Sequence, residues 1–120
     1  MDYGWPFVTY GEPYSQGDYV IPGATGTHKG FLEPIQVWTP SIAPTELVQL
    51  PRTGYGRFSS GLVMGTLREN SLVFMKLSDF KVKDIQIVEV NHRIRDLDLL
   101  PNGRILASTD EGELLIFTPR

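Results

Sequence analysis

A seven-residue pattern occurs twice in this chain, about 42 residues apart, and it restricts the fold more than any other feature. Gly61-Leu62-Val63-Met64-Gly65-Thr66-Leu67, followed by Asn70-Ser71-Leu72-Val73-Phe74-Met75, is echoed by a second stretch. That stretch is Gly103-Arg104-Ile105-Leu106-Ala107-Ser108-Thr109, followed by Gly112-Glu113-Leu114-Leu115-Ile116-Phe117. Each copy reads as a short apolar strand, a turn and a return strand. The offset is the length of one four-stranded β-propeller blade, so the period favours a propeller over a sandwich.

The rest of the chain agrees. Apolar residues nowhere recur at helical spacing for three turns behind a cap, and 12 Gly and 9 Pro cut the chain into short pieces. The class is all-β. Strands are predicted at 61–67, 71–77, 85–90, 93–99, 104–108 and 113–117, with weaker candidates at 35–38 and 46–50. Turn signals separate them at 68–70, 78–80, 101–103 and 110–112. Residues 1–45 are irregular, their aromatic residues repeatedly interrupted by Gly and Pro. The expected organisation is a single propeller piece: an irregular segment over 1–45, one blade over 46–92 and an incomplete last blade over 93–120.

Net charge is −3, which gives no basic field for nucleic acid, and no apolar run approaches the length needed to span a bilayer. No signal peptide is visible at Met1–Pro6. The absence of cysteine excludes disulfides and thiolate metal sites.

The chemically loaded segment is Arg93-Ile94-Arg95-Asp96. Side chains two apart on a strand share a face. Two guanidinium groups on one face repel unless something anionic lies between them, and arginine grips carboxylates in bidentate fashion. The competing account pairs Arg93 and Arg95 with Asp96, Asp98 or Glu89 on a solvated face. Asp110-Glu111-Gly112-Glu113 lacks the alternating ligands of a calcium loop and reads as a charged hairpin turn. His28 and His92 have no neighbours at metal-ligand spacing.

Four motifs stand in register: Tyr3-Gly4-Trp5-Pro6 with Thr9-Tyr10-Gly11; Trp38-Thr39-Pro40-Ser41-Ile42-Ala43-Pro44; Leu62-Val63-Met64-Gly65-Thr66-Leu67; and Arg93-Ile94-Arg95-Asp96 with Pro101-Asn102-Gly103 and Thr109-Asp110. In this order the chain resembles the C-terminal portion of the soluble aldose sugar dehydrogenases that use pyrroloquinoline quinone (PQQ), the glucose/sorbosone dehydrogenase family. The resemblance implies about two to two and a half blades of a six-bladed propeller. It also implies a calcium-dependent oxidoreductase that converts aldoses to lactones with PQQ on the central face.

Carried over to this sequence, the resemblance makes Arg93 and Arg95 ligands of PQQ. It places Arg68 where the family has a basic residue, usually Lys, and Tyr14 where a Tyr faces the cofactor. It gives the main-chain carbonyl of Tyr3 to calcium. The family's catalytic histidine lies upstream of Tyr-Gly-Trp-Pro, and neither His28 nor His92 matches it, so no catalytic residue is assigned. The chain alone is expected to be inactive. The alternative is a non-catalytic binding or assembly module that self-associates through open blade edges.

Overall fold

A computed structural model describes residues 30 and 32–120. The chain divides into two compact units, Met1–Ser41 and Ile42–Arg120. Within the first, the described residues form no strand. The weak strand candidate at 35–38 is therefore corrected. Pro34 and Pro40 bracket it, leaving a run too short to pair, and Ile35 and Val37 stay exposed.

The second unit is two antiparallel meanders. β1 (Pro44–Gln49), β2 (Leu62–Thr66), β3 (Ser71–Ser78) and β4 (Lys81–Glu89) form a four-stranded sheet in chain order. β5 (Ile94–Leu99), β6 (Ile105–Thr109) and β7 (Leu114–Phe117) form a three-stranded one. A single 3-10 turn at Gly56–Phe58 joins β1 to β2. The described residues contain no α-helix.

Burial follows from strand position. β2 and the first half of β3 are covered on both faces, which is why they read as unbroken apolar runs rather than alternating ones. β4 starts four residues earlier than the sequence suggests. Its first four residues, Lys81-Val82-Lys83-Asp84, carry the charges of an outer edge strand, a composition that conceals a strand from a hydrophobicity reading. Asp79 and Phe80 both have positive φ, and Ser78 pairs with Lys81, so a two-residue turn of the primed type closes the β3–β4 hairpin.

The core lies between the sheets: Leu50, Phe58, Val63 and Leu72 from one side meet Ile94, Leu97, Ile105 and Ala107 from the other. Each fully buried aliphatic side chain of this kind contributes about 1.5–3 kcal/mol. Two contacts fix how close the sheets come. A Cβ on Gly65 would lie 2.5 Å from Ile94 Cγ2, so the missing side chain is what admits Ile94. Beside it, the Thr45 hydroxyl donates to the Ile94 carbonyl at 2.8 Å. These contacts bring the end of β2, the start of β5 and the end of β6 to one rim of the unit.

The start of β5 is irregular. Its buried residues are Ile94 and Leu97, three apart where a regular strand would bury every second one. A bulge between Ile94 and Asp96 absorbs the odd residue: Ile94 pairs with Thr109, and Asp96 with Ser108.

Candidate functional site

The rim formed by the start of β5 and the β6–β7 turn carries the charges singled out in the sequence. Leu99 pairs with Ile105 across the Pro101-Asn102-Gly103 turn, so facing residue numbers there sum to 204. Continued without interruption, that sum would set Asp110 opposite Ile94, on the buried face. The bulge lowers the sum to 203, and Asp110 instead comes opposite Arg93, its N–H donating to the Arg93 carbonyl at 3.1 Å.

The β6–β7 turn holds Asp110 there. Gly112 has a φ of +82°, its N–H donates to the Thr109 carbonyl at 3.1 Å, and the Glu113 N–H donates to the Thr109 hydroxyl at 3.2 Å. The stretch predicted as a charged hairpin turn is one.

The Asp110 carboxylate divides between the two arginines. Arg93 Nε donates to Oδ2 at 2.5 Å, and Arg95 Nε donates to Oδ1. The anion expected between the guanidinium groups is thus supplied by the chain itself. It is neither Asp96 nor Asp98, whose carboxylates accept the N–H groups of Leu97 and Leu99. The Asp110 side chain is 25% exposed, against 47% and 56% for those of Arg93 and Arg95. The arginines therefore reach further into solvent than the carboxylate joining them. The trio carries one net positive charge.

Hydrogen bonds from Arg93 and then Arg95 hold the Asp110 carboxyl below the usual carboxylate range. A carboxyl whose folded-state pKa is depressed stabilises the fold above its unfolded pKa. That contribution is lost as pH falls through the folded value. The difference in melting temperature between wild type and Asp110→Asn is expected to be constant from about pH 8 to about pH 5 and to shrink below about pH 4. It will be small, because solvent screens an ion pair this exposed. Thermal melts of both proteins across that range check it, and a difference that grows on acidification would refute it.

Arg68 lies exposed in the β2–β3 turn at the same rim, and its N–H donates to the Ile42 carbonyl at 3.3 Å. That turn is locked by Thr66 and Ser71: the Thr66 hydroxyl donates to the Ser71 carbonyl and accepts the Ser71 N–H, both at 3.1 Å. His92 faces Glu113 at 3.6 Å and Glu111 at 4.0 Å. Tyr3, Tyr14 and His28 lie outside the described residues. Among the described residues no group of three or more His, Asp or Glu could hold a metal ion, and no helix is long and apolar enough to cross a membrane.

Comparison with known proteins extends across the chain. The family model for glucose/sorbosone dehydrogenase matches residues 1–116. The aldose sugar dehydrogenase YliI of Escherichia coli is 32% identical over 124 residues, which cover 99% of this chain and 33% of that protein. An uncharacterized protein, slr1608, of Synechocystis is 27% identical over 117 residues, 95% of this chain and 28% of its own. A crystal structure of glucose dehydrogenase superposes with a TM-score of 0.85 at 28% identity, covering 98% of this chain and 35% of that one. The apo-form of the soluble E. coli aldose sugar dehydrogenase gives a TM-score of 0.83 at 30% identity, with 98% and 35% covered. The chain thus spans about a third of the length of the relatives it matches. At this similarity its two meanders are part of a β-propeller.

Proposed function

The chain belongs to the glucose/sorbosone dehydrogenase family, and from that premise we propose that it forms part of the cofactor floor of a PQQ- and calcium-dependent enzyme that oxidises aldose sugars to lactones. The observation that carries this reading is the arginine pair. Two guanidinium groups share a single carboxylate and leave one positive charge on an exposed rim. That arrangement suits a planar molecule with three carboxylates, since each arginine keeps donors for an oxygen beyond Asp110. Arg68 adds a third cation at that end of the sheets. Tyr14 and the Tyr3 carbonyl, assigned to PQQ and to calcium, belong to the part of the chain outside the described residues.

When bound, PQQ supplies the redox chemistry, accepting the two electrons and two protons that an aldose loses as its anomeric carbon becomes a lactone carbonyl. The residues described here bind and orient. Arg93 and Arg95 hold carboxylates by charge-assisted hydrogen bonds and fix the plane of the ring system. The proton on the anomeric hydroxyl needs a base within hydrogen-bond reach, and no described residue is assigned that role. His92 is turned toward Glu111 and Glu113.

Binding without turnover is therefore expected. With PQQ and Ca²⁺ the chain should perturb the PQQ absorption spectrum saturably, yet show negligible dye-linked glucose oxidation. Turnover at the rate of a full-length relative would sink the inactive-floor reading, and absence of any PQQ binding would sink the cofactor reading.

A second reading rests on a separate observation. β7 is the outer strand of a sheet one strand shorter than its neighbour, and Leu114 and Ile116 on it are 72% and 55% exposed. An open apolar edge of this kind favours strand addition, here by another copy of the chain. Light scattering across a concentration series decides it, since a clean monomer throughout excludes assembly through this edge.

A further inference from the structure

The arginine pair does not stand alone: Asp110 lies between the two side chains. Asp110 receives Arg93 on one oxygen and Arg95 on the other, so the two donors do not compete. Both bonds use Nε, the guanidinium nitrogen nearest the stem. The Nη groups, which carry four of the five N–H donors, therefore extend beyond the carboxylate. Neither arginine side chain has another hydrogen bond or ion pair among the described residues.

Among the described residues, Asp110 is what holds these two long, exposed side chains together. Without a counter-charge they repel, and each samples many rotamers that must be given up on binding. The backbone supports Asp110 from two directions: the ladder bond from its N–H to the Arg93 carbonyl, and the glycine turn that follows.

We propose that Asp110 is a positioning residue, which converges Arg93 and Arg95 before any ligand arrives so that their outer edges meet an incoming carboxylate as a preformed clamp. The identity of the ligand, PQQ, rests on the reading given above. The convergence of the arginines does not.

The alternative role for Asp110 is that of an internal competitor occupying the site. The two roles predict opposite signs. Asp110→Asn removes a negative charge from the site, which by field alone strengthens anion binding. If Asp110 positions the arginines, the same change weakens it, because two side chains must then be ordered during binding.

The experiment is a PQQ titration of wild type, Asp110→Asn and Asp110→Glu, read by PQQ absorbance. It is combined with NMR of the arginine Nε–H signals in the ligand-free full chain. Asp110→Asn is expected to bind PQQ about tenfold more weakly, and Asp110→Glu to recover most of the loss by restoring the charge and both acceptor oxygens. Binding by Asp110→Asn as tight as or tighter than wild type overturns the proposal. If wild type does not bind PQQ at all, the cofactor reading fails and the Nε–H signals decide for Asp110. Two dispersed, slowly exchanging signals that vanish in Asp110→Asn uphold it as the positioning residue, whereas signals unchanged in the variant overturn it.

Discussion

Gly61→Ala is expected to lower the melting temperature by roughly 15 °C, the effect of overpacking at about 3 kcal/mol in a domain of this size. The methyl group would lie 2.2 Å from the Met75 carbonyl oxygen and 2.8 Å from that of Phe58. Both are main-chain atoms with commitments of their own. Met75 belongs to β3, directly opposite Leu62, and the Phe58 carbonyl accepts the Gly61 N–H at 2.8 Å. No side chain can rotate away to make room, so β2 must separate from β3 or from the 3-10 turn. Gly65→Ala is the informative control. Its methyl would meet side-chain rather than main-chain atoms, Ile94 Cγ2 at 2.5 Å and the Thr45 hydroxyl at 2.9 Å, so the strain is relieved by a shift between the sheets without parting a ladder. A smaller loss is expected there. Thermal melts of the two variants test the ranking, and a Gly61→Ala protein within a degree or two of wild type would mean that β2 is not pinched in this way.

The second large effect is on binding. Arg93→Ala/Arg95→Ala is expected to weaken PQQ binding at least about a hundredfold, since each charge-assisted hydrogen bond contributes about 1.5–3 kcal/mol. The fold should be nearly indifferent. Both side chains are about half exposed, and Asp110, left alone, can turn to water. Loss of binding with an unchanged melting temperature is therefore the expected pair of results. Arg93→Lys/Arg95→Lys separates charge from shape: it keeps both cations and loses both planar forks, so intermediate affinity is expected. Equal binding by the double alanine variant and wild type would remove these arginines from any cofactor site.

The repeat at a 42-residue offset located β2 with β3 and β6 with β7, since each pair is apolar along its length. The strands before and after that pair were harder to place. Lys81–Asp84 is strand by hydrogen bonding while its composition is that of a turn, and Ile35–Trp38 has the composition without a partner.

For the site, period-two alternation correctly set Arg93 and Arg95 on one face with an anion between them. The identity of that anion was not legible. Counting back from the Pro-Asn-Gly turn puts Asp110 on the wrong face, and only the spacing of Ile94 and Leu97 hints that the count slips by one. Two apolar residues three apart in a strand are the mark of a bulge, and a bulge here brings Asp110, rather than Asp96, Asp98 or Glu89, to the arginines.

The bulge also gives β5 slack. At Arg95-Asp96 the strand holds one residue more than its ladder uses. Taking that residue away would leave Ile94 facing Thr109, Leu97 facing Ala107 and Asp110 facing Arg93. Everywhere else in the hairpin the strands are fully subscribed, and a change of length by one would turn Asp110 toward the core. Deletion of Asp96 is thus the change of length by one within β5 that keeps both Ile94 and Leu97 inward and both arginines beside Asp110.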